Sequence, residues 1–454
     1  MQPTTPQTSR LTRFTEEIAA RWNSKSHSGS IFRNMAMLAS GTAVARAIGA
    51  LSIPVITRIY LPEHFGVLAV FTSLTALLVP FGTLRYSMAL PLPKRDGTAL
   101  NLAVLCVSSL LIVSLLVTLV FWLTAPYLLE LLSMQQLLPF WWLLPVAIAG
   151  TGMYELLTNW AVREKAFKPL ARTRVWQAVI GAITKISLGL LGLKPLGLLI
   201  GQVFTQAGGI FFLFRHFLWK FKSRWRHASS TRIRFLIRRY ADFPKYRLPS
   251  QILLVFSTKA PLFFFAWQFG SETTGKLGLA LMVLVLPIDL FGQTTGKAYL
   301  GEIAKIGRKQ PEQIYKITKN ITKKLFLISI LPFLMLLLYG PWLFEIVFGE
   351  AWREAGVFAS ILSIYLAAQF VCNPIGNAIL NVFEKQKMAL LINLNRFVLI
   401  SISFLIAYML DFNSYSTLIV YSTILTIQYI FIIYILFMII RNDIFNNKII
   451  KKNL

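Results

Sequence analysis

The sequence predicts an all-α polytopic membrane protein with about twelve transmembrane helices. Three observations carry that reading. Apolar runs long enough to cross a hydrocarbon core of about 30 Å recur along the chain, whose mean hydropathy is +0.62, with 56% hydrophobic and 14% charged residues. The period-2 alternation of a membrane barrel is absent, which leaves helices as the spans that satisfy their own backbone. Lysines and arginines fall almost wholly on one side of the spans so drawn, as the positive-inside rule demands.

The spans are placed at roughly 35–58, 66–92, 99–124, 138–160, 175–193, 196–218, 248–270, 274–297, 324–348, 355–381, 388–410 and 416–440. With a cytoplasmic N-terminus, the outer loops hold only Arg58, Lys194, Lys276 and Arg353. Five more cations, Arg46, Arg85, Lys185, Lys259 and Arg396, lie within spans, and the remainder fall at the cytoplasmic side. The net charge of +28 therefore orients the protein, with both termini cytoplasmic, and nucleic acid drops out as a partner.

Residues 1–34 are polar and lack the apolar core of a signal peptide. Leu11, Phe14, Ile18 and Trp22 recur there at helical spacing among arginines, which fits either a short helix on the anionic leaflet or a loose tail. In the first span Gly41, Ala45 and Gly49 form a smooth strip for close helix packing, and Arg46 lies beside it. A hinge over 61–66 leads into the second span. Pro91 to Gly97 reads as a cytoplasmic turn, 159–174 as a basic inside loop, and 192–195 as a tight outer turn. The two cysteines, Cys106 and Cys372, sit in apolar runs without disulfide or metal spacing. The four histidines are scattered, so no metal site is expected.

The basic stretch Lys220 to Arg247 divides the chain nearly in half, and a weak repeat spans it. Glu63-x-x-Gly66 is followed by Pro80, and Glu272-x-x-Gly275 by Pro287, at an offset of 209 residues between the two motifs. A six-span unit begins and ends on one side, so its copy is parallel, and the working site falls between the lobes near the midplane. The expected division is a tail at 1–34, a first lobe at 35–218, a linker at 219–247, a second lobe at 248–440 and a basic tail at 441–454.

The chemistry lies in the intramembrane ions, because charge at mid-span is costly and normally faces protein or a watery cavity. Arg46, Lys185 and Lys259 are near mid-span. Arg85 and Arg396 lie nearer the cytoplasmic ends, where snorkelling to the headgroups is the rival reading. Away from the last turn of a span, only Asp289, and Glu155 less centrally, offer carboxylates within spans. Most of the cations therefore await water or an anionic ligand. Asp289 shares a helix face with Gln293 and Gly296; it is a candidate carrier of a proton or sodium ion, or a salt-bridge partner of Lys259. No GxxxxGK[ST] loop is present, and the short outer loops show no clustered carboxylates, so no enzyme is expected.

Four stretches carry a family resemblance: VARAIGALSIPVITRIYLPEHFGVLAVF (44–71), LRYSMALPLPKRD (84–96), WAVREKAFKPLARTRV (160–175) and YADFPKYRLPSQILL (240–254). They resemble the Wzx-type polysaccharide flippases of the multidrug, oligosaccharidyl-lipid and polysaccharide (MOP) exporter superfamily. The resemblance is diffuse and covers most of residues 35–440. It implies two six-helix bundles around a central cavity, in the bacterial inner membrane. It also implies translocation, by alternating access, of undecaprenyl-diphosphate-linked O-antigen or exopolysaccharide units, in lipopolysaccharide or related biosynthesis. A polysaccharide polymerase and a chain-length regulator are candidate partners. No cofactor is implied, and a proton or sodium gradient is the candidate energy source. A MATE-like cation or drug exporter would need buried acids, and a peptidoglycan lipid-precursor flippase usually has fourteen spans; both remain alternatives.

Overall fold

The computed structural model describes residues 27–224, 229–288, 292–308 and 310–453, and among them no strand occurs. The first half contributes α1 (His27–Ile59), α2 (Pro62–Gly82), α3 (Asp96–Leu131), α4 (Leu143–Arg163), α5 (Phe167–Leu190), α6 (Leu196–Ala207) and α7 (Ile210–Arg224). A short helix, α8 (Ser230–Arg239), precedes α9 (Leu248–Pro287), α10 (Gln293–Ile306), α11 (Pro311–Phe348), α12 (Arg353–Val382), α13 (Gln386–Met409) and α14 (Ser414–Asn453). Asp289, like the amphipathic stretch from Leu11 to Trp22, lies outside the described residues.

Nine segments among the described residues are long and apolar enough to cross a membrane. One, Phe243–Pro287, contains Gly270 at φ 78° and ψ −175°, a break that turns α9 into two antiparallel passes. Only glycine takes that conformation without strain. The helices α4 and α5, with 21 and 24 residues, complete the bundles; α5 falls short on apolarity because it carries Lys168, Arg172, Arg174 and Lys185. The fold is an all-α polytopic bundle pair around a central cavity, as the sequence predicts.

Two spans and the linker depart from their expected course. The second ends at Gly82 instead of running to residue 92. Leu84 and Arg85 then take left-handed φ values of 46° and 62°, and a 3₁₀ turn covers Tyr86–Ala89. The reason is polar: Glu155 on α4 accepts hydrogen bonds from Arg85 at 3.1 Å and from the Ser87 hydroxyl at 3.0 Å. A straight apolar helix could not deliver both donors to one carboxylate. The sixth span splits between α6 and α7 at Gly208 and Gly209. The linker is partly helical, since α8 buries Leu236, and Tyr86 O–H donates to the Ile237 carbonyl at 3.4 Å.

The Glu-x-x-Gly repeat marks where the two halves touch. α2 and the second pass of α9 cross there, in the most extensive packing between the halves. A Cβ on Gly66 would run into the Ser271 carbonyl, and one on Gly275 into the Pro62 carbonyl and the Gly66 nitrogen. The two glycines thus let two backbones meet directly, one motif facing its copy. Close by, fully buried Trp352 donates its indole N–H to the Thr57 carbonyl at 3.0 Å and packs edge-on against Phe65 at 4.7 Å. These contacts close the end of the bundle away from the basic linker, here termed the far end.

Candidate functional site

Behind the far-end closure lies a cavity of about 600 Å³, walled by α2, α6, α9, α12, α13 and α14 and therefore shared between the halves. A smaller cavity of about 230 Å³ adjoins it between α1, α5, α6 and α9. Both are lined by Phe65, Leu68, Gln202 and Met282.

Four of the five sequence-predicted cations converge here. Lys259 and Arg396 line the larger cavity, Arg46 and Lys185 the smaller one. Lys259 sits midway along the first pass of α9, where Pro261 interrupts the backbone ladder. No described residue ion-pairs or hydrogen-bonds with it. Arg396, from α13, lies over the Tyr429 ring at 5.1 Å, a cation–π contact that holds the guanidinium against the cavity wall. Its Nε is buried without a hydrogen-bond partner. Arg396 therefore does not snorkel. Tyr365 and Tyr421 continue that wall, their rings edge-to-face at 5.6 Å.

Lys185 donates from Nζ to the Gln202 Oε1 at 2.8 Å. Its backbone is pinned as well, because the buried Tyr60 hydroxyl donates to the Lys185 carbonyl at 2.8 Å. Arg46 faces the same cavity beside Ala45 and Gly49, two members of the small-residue strip, while Gly41 packs on Ala171 of α5. No carboxylate lines either cavity among the described residues. The result is a pair of joined chambers with a cationic lining on apolar and aromatic walls. In that low-dielectric setting an entering anion is held far more strongly than in water.

Arg85 stands apart. It lines neither cavity and is bound instead to Glu155 at 3.1 Å and to Gln251 of α9 at 3.4 Å. It joins the first half to the second near the basic linker, so neither snorkelling nor an exposed cavity position describes it. The expectation that most buried cations lack a protein counterion holds for Lys259 and fails for Arg85.

Sequence reading missed the polar neutral groups. Gln202 and Gln206, one turn apart on α6, and Gln369 on α12 all line the larger cavity. Amides inside apolar helices carry no charge to stand out against the background, although their i, i+4 spacing was a usable signal. It also missed a cleft of about 710 Å³ at the far end, where Glu63, Glu272, Glu350 and Glu354 come together. Lys276 bridges Glu272 at 2.7 Å and Glu354 at 2.6 Å, and the Tyr415 hydroxyl donates to Glu354 at 2.8 Å. The outer carboxylates are thus clustered, contrary to expectation, because loops distant in sequence fold onto one lysine.

Solved structures with a similar fold include a lipid II flippase and two transporters described as members of the MOP superfamily. The chain is similar to the lipid II flippase MurJ in an inward closed conformation, with a TM-score of 0.68, 12% identity and coverage of 92% of each chain. It is also similar to an inward-facing multidrug resistance MATE transporter, with a TM-score of 0.61, 16% identity and coverage of 90% of this chain and 99% of that one. A MOP superfamily transporter from Pyrococcus furiosus, described as having reversed polarity in its binding pocket, matches with a TM-score of 0.56 at 14% identity over 92% of this chain and 96% of that one. Among curated proteins no sequence matches significantly. The polysaccharide biosynthesis protein family (Polysacc_synt_3) matches residues 55–357, and the chain belongs to that family.

Proposed function

We propose that this protein is a flippase for a lipid-linked oligosaccharide, moving undecaprenyl-diphosphate-linked repeat units across a bacterial cytoplasmic membrane with both termini in the cytoplasm. The observation that carries the reading is the joined cavity between the halves, in which Arg46, Lys185, Lys259 and Arg396 meet without a lining carboxylate among the described residues. A diphosphate complements that cationic lining, the glycan finds amides and tyrosine faces, and the prenyl tail stays in the bilayer. An exporter of cationic drugs would face four positive charges. A peptidoglycan lipid precursor shares the diphosphate, and family membership in polysaccharide biosynthesis favours repeat units over it. Arg85, with Glu155, serves as a positioning pair between the halves, and the chain acts as a transporter, without catalysis of its own.

The test is flipping of a labelled lipid-linked oligosaccharide in reconstituted vesicles. Lys259→Ala with Arg396→Ala is expected to lower the rate by more than about tenfold, since each lost charge-assisted contact is worth about 1.5–3 kcal/mol. Lys259→Arg with Arg396→Lys keeps the charge and is expected to retain a larger share. Normal flipping by the double Ala variant overturns the cationic-cavity mechanism. Coupling is assigned to Asp289 and a proton or sodium gradient. Asp289→Asn is expected to abolish the response to an imposed gradient while substrate binding persists. If the response is unchanged, the coupling residue is another one, with Glu155 next in line.

A further inference from the structure

A further cavity, of about 610 Å³, lies on the outer wall of the second half, between α11, α12 and α14. It shares no lining residue with the central chambers. α12 separates the two, turning Tyr365, Leu366 and Gln369 toward the centre and Ser363, Ile364 and Ala367 toward this groove.

The groove walls are chemically unusual. Four hydroxyls lie along them, and each is already spent on its own helix: Thr322 donates to the Thr318 carbonyl at 2.8 Å, Ser329 to Phe326, Ser363 to Ser360 and Thr426 to Ser422, each at 2.7 Å. The groove therefore offers hydrocarbon no free donor to desolvate. At one end, near the start of α11, the exposed Lys319 and Lys323 stand one turn apart on its rim. Arg441 lies over the Tyr315 ring at 5.8 Å, and Tyr315 packs edge-on at 5.6 Å against Phe437, which lines the groove. Three cations thus mark a single mouth, at the end that the charge asymmetry assigns to the cytoplasm. From there the groove runs along the helices toward mid-membrane, past Leu337 and Thr426.

We infer that this groove is a binding site for an anionic phospholipid of the inner leaflet, with an acyl chain in the groove and the headgroup phosphate between Lys319 and Lys323. Two features favour a held lipid over the fluid annulus. The groove is a recess between three helices, so a seated chain gains contacts that a flat wall does not offer. The mouth also adds attraction of about 1 kcal/mol for each cation near an anionic surface. A phospholipid fits better than the transported lipid, because α12 closes the groove off from the chambers.

The experiment is native mass spectrometry of the full-length protein with equimolar phosphatidylglycerol and phosphatidylcholine. The unaltered chain is expected to retain one phosphatidylglycerol at least severalfold over phosphatidylcholine. Lys319→Gln with Lys323→Gln is expected to bring the ratio to about one, as the loss of about 1 kcal/mol per charge requires. Ala367→Phe, which fills the groove, is expected to reduce retention of both lipids. Lys385→Gln with Lys387→Gln removes equal charge at the head of α13 and is expected to change nothing. The site is refuted if the Lys319 and Lys323 variant keeps the preference. Equal loss in the Lys385 and Lys387 control also refutes it, since diffuse charge then explains the binding, and so does full retention by Ala367→Phe. If undecaprenyl phosphate displaces phosphatidylglycerol at equimolar concentration, the occupant is the prenyl lipid and the assignment to a phospholipid is wrong.

Discussion

The far-end closure and the central chambers are built on the same two helices, yet they follow opposite rules. At the closure, α2 and the second pass of α9 touch backbone to backbone at Gly66 and Gly275. About a turn deeper Gly278 still packs closely on Ala69, but both border the cavity, as do Thr72 and Ala76 beyond them. One region excludes everything, a Cβ included; the other keeps room and positive charge. The difference shows how one helix pair can both seal and bind. Small residues set the separation at the closure, and below it the amides of α6 and Arg396 of α13 line the cavity.

The largest expected effect comes from wedging the closure. Gly275→Val drives its side chain into the Pro62 backbone, and overpacking of this kind typically costs about 1–3 kcal/mol. The lobes should part at the far end, so that Thr72→Cys, in a background without Cys106 and Cys372, becomes reactive to a membrane-impermeant thiol reagent added outside. If Thr72→Cys remains protected and flipping is normal, the glycine crossing is not the seal.

Next in size is the wall between the chambers. Gln202→Glu places a carboxylate against Lys185, which Gln202 meets at 2.8 Å, and cancels one of the four positive charges. A charge-assisted contact of about 1.5–3 kcal/mol predicts roughly a tenfold or greater fall in flipping. Gln202→Leu keeps the charge and is expected to lose less. The reverse ranking would show that the amide itself, through glycan contacts, matters more than the field.

The smallest effect tests the closure without overpacking it. Trp352→Phe keeps a ring near Phe65 and deletes the indole hydrogen bond to the Thr57 carbonyl, worth about 0.5–1.5 kcal/mol. External labelling of Thr72→Cys should rise by a few fold, well short of the Gly275→Val result. A rise equal to that of Gly275→Val would move the seal from the glycines to the tryptophan.

Much of this was legible in the chain. Helix count, the broad class and the division of charge follow from hydropathy and from the cost of a cation in hydrocarbon, which act locally and leave a pattern in one dimension. The same cost singled out Arg46, Lys185, Lys259 and Arg396, because a lone cation in an apolar run must face something other than lipid. The Glu-x-x-Gly repeat was visible too, but only as a spacing.

Tertiary structure alone decided the rest. Whether a buried cation is free depends on what another helix brings to it: Glu155, seventy residues away, claims Arg85, while nothing described claims Lys259. Lys276 gathers Glu272 and Glu354 for the same reason. Gln202, Gln206 and Gln369 carry no charge, and the i, i+4 spacing of the first two marks only a shared helix face, so the cavity between α6 and α12 is what reveals them as a lining. The role of the two repeat glycines emerges only when the backbones cross. Hydrophobic burial and charge cost are properties of single residues, and the sequence records them; pairing, cavity walls and close approach are properties of two segments at once, and only the fold brings those segments together.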